Sequence, residues 1–194
     1  MYARKVDQQE LTFDFAWGLK NNNLVFVDRE TSSVWSQLTG GAVDGPLRGK
    51  PLQTLPMLQT TWAHWRDLHP QTRVMKHEPK EPGEPRPPYR YTSRKVWEPL
   101  PEGETPSEDH DTSTLGLGLV RGGKSVFYPF RELAKLDGPI RVTHDKETWT
   151  VHYKADAFTA WATGAHGALL PAVLAYESNW RDFQPESEFF RKPE

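Results

Sequence analysis

Asp28-Arg29-Glu30-Thr31 brings a carboxylate, a guanidinium and a hydroxyl together between two apolar runs. Gln37 lies just downstream, and the indoles of Trp35, Trp62 and Trp65 belong to the same part of the chain. Polar groups beside aromatic walls are the materials of a small-molecule pocket. His69 follows Trp65 at helical spacing and joins this set. A structural reading competes with it: Asp28 caps the amides of its own turn, Arg29 pairs with a carboxylate, and the tryptophans fill a core.

Other chemistries find less support. Gly118-Leu119-Val120-Arg121-Gly122-Gly123-Lys124-Ser125 has the spacing of a phosphate-binding P-loop. Such a loop must open a helix whose amides wrap the phosphates. Val126-Phe127-Tyr128 favours a strand instead, and Pro129 forbids a continuous helix. A tight glycine hairpin is the expectation. His64 and His69 are five apart, not at the four-residue spacing of helical metal pairs. His144 and His152 flank an expected hairpin and are placed to approach across it. Three or four converging zinc ligands do not assemble from these positions, so no metal or other cofactor is expected. Ser32 and Ser33 lie in a turn, but no Gly-x-Ser-x-Gly elbow exists.

These residues need elements to position them. Leu11 to Trp17 alternates as a half-buried strand, and Gly18 to Asn23 reads as a turn. Leu24 to Val27 reads as a strand covered on both faces. Asp28 to Ser33 is a polar turn returning into Val34 to Leu38, a hairpin. A second short hairpin is expected over Thr39 to Lys50, then a strand over Leu52 to Leu55. Thr60 or Thr61 caps a short helix over Trp62 to Leu68, stopped by Pro70. Lys76 to Pro88 and Glu98 to Thr114 are Pro- and Glu-rich loops bracketing Tyr89-Arg90-Tyr91, which is expected to pack on the body. Beyond them come a hairpin around Gly122-Gly123, a short helix over Phe130 to Leu136, and a hairpin of Ile140 to Thr143 with Trp149 to Tyr153. Ala155 to Trp161 reads as weakly helical or irregular.

Composition sets the frame. At 194 residues with a formal net charge of -2, the chain lacks the basic footprint of a general nucleic-acid binder. Its 8 Trp and 9 Phe can support a core despite a mean hydropathy of -0.73. The absence of Cys removes disulfides, thiolate metal sites and thiol nucleophiles. No apolar run approaches the ~20 residues that span a bilayer, and Met1 to Lys5 lacks the apolar core of a signal peptide.

Two short motifs recur. Asp145-Lys146-Glu147-Thr148 resembles Asp28-Arg29-Glu30-Thr31, and Trp180-Arg181-Asp182-Phe183-Gln184-Pro185 resembles Trp65-Arg66-Asp67-Leu68-His69-Pro70. The interval between the members is nearly the same in both halves, which points to an internal duplication. The expected fold is mainly β (α+β), in one domain over 1–194. Residues 1–75 and 115–194 form two related, hairpin-rich lobes, joined by the Pro-rich loops of 76–114. Asp28 and Asp145 should then occupy equivalent turns. Trp65 and Trp180 should occupy equivalent short helices, each buried against its own lobe.

Val27-Asp28-Arg29-Glu30-Thr31-Ser32-Ser33-Val34-Trp35-Ser36-Gln37, then Gly45-Pro46-Leu47-x-Gly49, then Thr61-Trp62-x-x-Trp65-x-x-x-His69-Pro70-x-Thr72 resemble domain of unknown function family 3179. Tyr128-Pro129-x-x-x-Leu133 and Trp180-x-x-Phe183-x-Pro185 fit it as well. The resemblance covers about Leu11 to Phe190 and brings no established activity. It implies an exported or membrane-attached setting, since many members have one. It also implies redox or metal chemistry for the many members with a Cys-x-x-Cys-like motif upstream of the part matching Tyr2 to Lys5. This chain has no Cys and departs from them there. The leading expectation is therefore a non-catalytic binding or assembly subunit that contacts a partner protein, within a membrane-associated complex. Its rivals are an enzyme or small-molecule binder with a pocket at Asp28, Arg29, Thr31, Trp35 and Gln37 beside Trp62, Trp65 and His69, and a His-based metal binder.

Overall fold

A computed structural model of the chain describes residues 1–21, 23–75, 114–144 and 147–193, the side chain of Trp17 excepted. Residues 76–88, Tyr89-Arg90-Tyr91, the acidic stretch up to Ser113, and Asp145 lie outside them. The chain is mainly β, with antiparallel sheets and short helices.

The first sheet has the order β3-β4-β5-β6: Phe13–Lys20, Asn23–Asp28, Val34–Ser36 and Ala42–Asp44. A two-stranded ribbon of β1 (Lys5–Val6) and β2 (Gln9–Glu10) precedes it. The direct pairs Phe13↔Asp28, Phe26↔Trp35 and Trp35↔Ala42 place these residues on one face. That face closes a core of Val6, Leu11, Trp35, Ala42 and Leu52.

Three boundaries differ from expectation. Strand β3 runs through Gly18 to Lys20, because an irregularity between Phe15 and Leu19 absorbs the offset and lets pairing resume at Leu19↔Leu24. Leu24 is 37% exposed, so β4 is covered on one side only at its start. Residues 51–54 make isolated bridges, Gly41↔Pro51 and Tyr2↔Thr54, in place of a strand.

The second sheet has the order β12-β7-β8-β13: Val173–Tyr176, Leu115–Arg121, Lys124–Pro129 and Glu188–Phe189. Strands β7 and β8 turn at Gly122 and Gly123, whose φ of 58° and 76° suit glycine. The P-loop-like string is thus a β-hairpin, and what its glycines open is strand β8 and not a helix. Helix α2, Phe130–Leu133, follows β8. A third sheet, β11-β10-β9, is built from Thr159–Thr163, Glu147–Lys154 and Ile140–His144. Residues 155–157 form one 3₁₀ turn, but Trp161 belongs to β11. The second and third sheets share a core around Leu117, Leu119, Tyr128, Trp149 and Val151, with Trp149 Nε1 donating to Tyr128 Oη at 3.0 Å. Burying an aromatic removes roughly 150–250 Å² from water, about 4–6 kcal/mol of transfer free energy. That is how so polar a chain sustains a core.

The N-terminal and C-terminal sheets meet through a third cluster, in which Leu38 packs with Phe127, Ala175 and Trp180. Two bonds reinforce the junction: Asn179 Nδ2 to Asn21 O at 3.1 Å and Thr159 Oγ1 to Gln59 O at 2.5 Å. Two further helices, α1 (Trp62–Leu68) and α3 (Glu177–Phe183), carry the repeated Trp-Arg-Asp motif.

Candidate functional site

The polar cluster after β4 is closed upon itself. Asp28 is 1% exposed. Its carboxylate accepts from Thr31 N at 2.5 Å, from Thr31 Oγ1 at 2.8 Å and from Trp35 Nε1 at 2.8 Å. Burial pushes this carboxyl up, but the bonds from Trp35, Thr31 and Ser33 outweigh it and hold the group below its ordinary value. Thr31 Oγ1 lies 2.6 Å from Ser33 Oγ, which accepts from Leu47 N at 3.0 Å. Arg29 forks onto Asp14 at 2.6 and 2.7 Å, a bond that lowers the carboxyl and raises the guanidinium. Glu30 accepts from Thr12 N at 2.8 Å. The acceptor atoms of Asp28 are thus spent on fixing the turn and the Trp35 indole.

Trp62 and Trp65 stand elsewhere. Thr61 caps α1, its side chain accepting from His64 N at 3.4 Å. The helix buries no residue. Trp62, 49% exposed, and the partly buried Trp65 line an open hollow of about 520 Å³ with Met57, Leu58, Gln59 and Thr60. Trp65 packs on His69 with ring centroids 4.2 Å apart. Gln37 reaches neither place: its side chain is exposed, while its backbone joins Leu24 and Tyr2. The structure therefore brings Asp28, Thr31 and Trp35 together in one spot and Trp62, Trp65 and His69 in another. Arg29 points out to Asp14.

Helix α3 is built to the same plan as α1. His69 N donates to Trp65 O and Gln184 N donates to Trp180 O. The two capping residues have φ/ψ of -134°/69° and -134°/63°. After each proline the chain folds back, with Thr72 N to His69 O and Ser187 N to Gln184 O both at 3.0 Å. What differs is the covering. Trp180 is 3% exposed, lying over Phe127 and above Gly118, where a Cβ would fall 2.2 Å from the indole. Trp65 is only partly buried, so the expectation that both tryptophans are buried holds for Trp180 alone. The hairpin part of the repeat is less regular. Residues 29–33 join β4 to β5, while His144 pairs directly with Glu147 across 145–146.

Sequence reasoning did not find the ring stack beside α1. His152 lies flat on Trp161, with centroids 5.0 Å apart and planes at 6°. His64 approaches the same indole at 6.3 Å. Thr60 Oγ1 lies 2.8 Å from His64 Nδ1, and Thr163 Oγ1 lies 2.9 Å from His152 Nε2. Burial lowers the His152 pKa. The expected approach of His144 to His152 does not occur: His144 pairs with Glu147, and His152 pairs with Trp161. Among the described residues, no group of three or more His, Asp or Glu could hold a metal ion. No helix there is long and apolar enough to cross a membrane. A strand pattern over Thr159 to Thr163 was the one signal that could have placed Trp161 opposite His152.

Comparison with curated proteins and with solved structures finds no match. Residues 1–187 match the family described as "Protein of unknown function (DUF3179)". That span takes in both copies of the Trp-Arg-Asp motif, the Asp28 turn and the Trp62/Trp65 hollow, and the chain belongs to this family.

Proposed function

We propose that this protein is a non-catalytic binding module that contacts a partner protein through α1 and the aromatic hollow beside it. The observation that carries the reading is the unequal covering of two helices built alike. In α3 the apolar side is buried, whereas α1 leaves Trp62 and Leu68 each 49% exposed. Aromatic side chains held rigidly at a surface are what protein interfaces use as anchors. The Asp28 cluster, the other place where polar groups gather, has its acceptors engaged internally and acts as scaffold.

A photo-crosslinking amino acid placed at Trp62 tests this in cells of the native source. The expected result is a discrete protein–protein adduct, absent when the same group replaces Val120 on β7, which is 55% exposed. Adducts at neither position, or at both equally, would remove the reading.

A further inference from the structure

The twin of α1 shows what its surface lacks. Beyond Pro185 the chain enters β13, which pairs in parallel with β8 through Glu188↔Val126 and Phe189↔Phe127. Phe190 N donates to Phe127 O at 2.8 Å, and Lys124 bridges to Glu188 at 2.8 Å. Trp180, Phe183 and Phe189 thereby close over one sheet. In the first copy, Leu68 stands in the place of Phe183, Arg73 of Glu188, Val74 of Phe189 and Met75 of Phe190. Leu68 is 49%, Val74 73% and Met75 91% exposed. Among the described residues, no hydrogen bond reaches Arg73, Val74 or Met75. The first copy thus has the helix, the cap, the turn and an apolar tail, but among the described residues no strand beside the tail.

The same chain offers an open strand. Strand β3 is an edge of its sheet, and its Phe15 and Leu19 are 79% and 66% exposed. An apolar edge strand of this kind invites another strand. Charge is complementary too: Asp67 on α1 and Lys20 on β3 are both exposed.

We propose that α1 and residues 72–75 of one molecule dock on strand β3 of a second copy of this chain, residues 73–75 adding as a strand with Trp65 lying over them. This rests on the reading of α1 as a protein-binding surface and names the partner as the chain itself. The contact joins two different patches, and a rotation between copies that closes makes it a reciprocal dimer or a small ring.

Sedimentation velocity on the purified full chain at tens of micromolar is the test. The wild type should sediment as a dimer or ring that dissociates on dilution. Val74→Asp and Phe15→Asp should each give monomer, with a melting temperature equal to that of wild type at dilutions where the wild type is monomeric too, because both side chains are exposed. Mixing the two variants leaves one intact interface per pair and should restore association. A wild type that stays monomeric, or variants that do not complement on mixing, would overturn the proposal. A monomeric wild type together with a Trp62 adduct to some other protein would overturn self-association alone. No adduct of any kind would remove the binding reading as well.

Discussion

The indole N–H of Trp65 donates to Thr72 Oγ1 at 2.9 Å, and that of Trp180 donates to Ser187 Oγ at 2.7 Å. One local device therefore holds two tryptophans whose surroundings differ. The device sets direction, while burial sets energy. Trp180→Ala should cost about 3–5 kcal/mol, the range for a buried large aromatic. Trp65→Ala should cost only about 1 kcal/mol, because Trp65 is only partly buried. Urea denaturation of the two variants checks the difference. Equal losses would mean that Trp65 is covered within its own chain.

The hydroxyl acceptors should separate in the same way. Ser187 Oγ serves Trp180 and lies 2.9 Å from Ser125 Oγ inside the junction of β8 and β13. Ser187→Ala leaves a buried indole N–H without its acceptor, at about 1–3 kcal/mol. Thr72 is exposed, so water can replace it. Thr72→Val should lie within about 0.5 kcal/mol of wild type. Chemical denaturation midpoints at constant slope are the measurement.

Gly118 is the floor on which Trp180 rests. A methyl group there would sit 2.2 Å from Cζ3 of the indole, and the ring has Phe127 beside it. Gly118→Ala should destabilise by about 1–3 kcal/mol or more through overpacking. For a chain of this size that lowers the melting temperature by roughly 2–4 °C per kcal/mol. Gly123→Ala has open space for its methyl group, so a loss there reports the positive φ of 76° alone. A harmless Gly118→Ala would show that α3 is free to lift from the sheet.

Much of this fold was legible because local chemistry decided it. Thr61 and Pro70 bound α1, and Gly122-Gly123 with Val126 to Tyr128 forces a hairpin rather than a phosphate loop. The recurrence of Trp-x-x-x-x-Pro carried a real structural repeat, down to the capping angles. What could not be read was which face of a tryptophan is covered. Trp65 and Trp180 have nearly the same neighbours in sequence, but Trp180 is buried by Gly118, Phe127 and Leu38, all distant in the chain. The same limit applies to the candidate site. The recurrence of the Asp28 motif favours a structural turn over a catalytic cluster, but the use made of the carboxylate shows only when Trp35 Nε1 is seen to donate to it. The stack of His152 on Trp161 depends on a cross-strand register that no local pattern specifies.

Asp28 gives a pH-dependent prediction whose sign follows from its bonds. Its carboxyl is held below the ordinary 3.8, so ionisation favours the folded state. That contribution is fully present above the unfolded value and is lost as pH falls through the lower folded value. Asp28→Asn keeps the shape, removes the charge and turns one acceptor into a donor facing Trp35 Nε1 and Thr31. At neutral pH it should cost about 2–4 kcal/mol, the loss of charge-assisted bonds to a buried carboxylate. Exposed carboxyls held low by hydrogen bonds, Asp14 and Glu30 among them, also titrate in acid. The informative quantity is therefore the gap between wild type and variant, measured by urea denaturation from neutral pH down to pH about 3. The gap should narrow as the wild-type carboxyl takes up its proton. A gap that stayed constant over the whole range would mean that the carboxyl titrates alike in the folded and unfolded chain, and a gap that widened in acid would mean that Asp28 is protonated in the folded protein, with Trp35 and Thr31 held by a neutral acid.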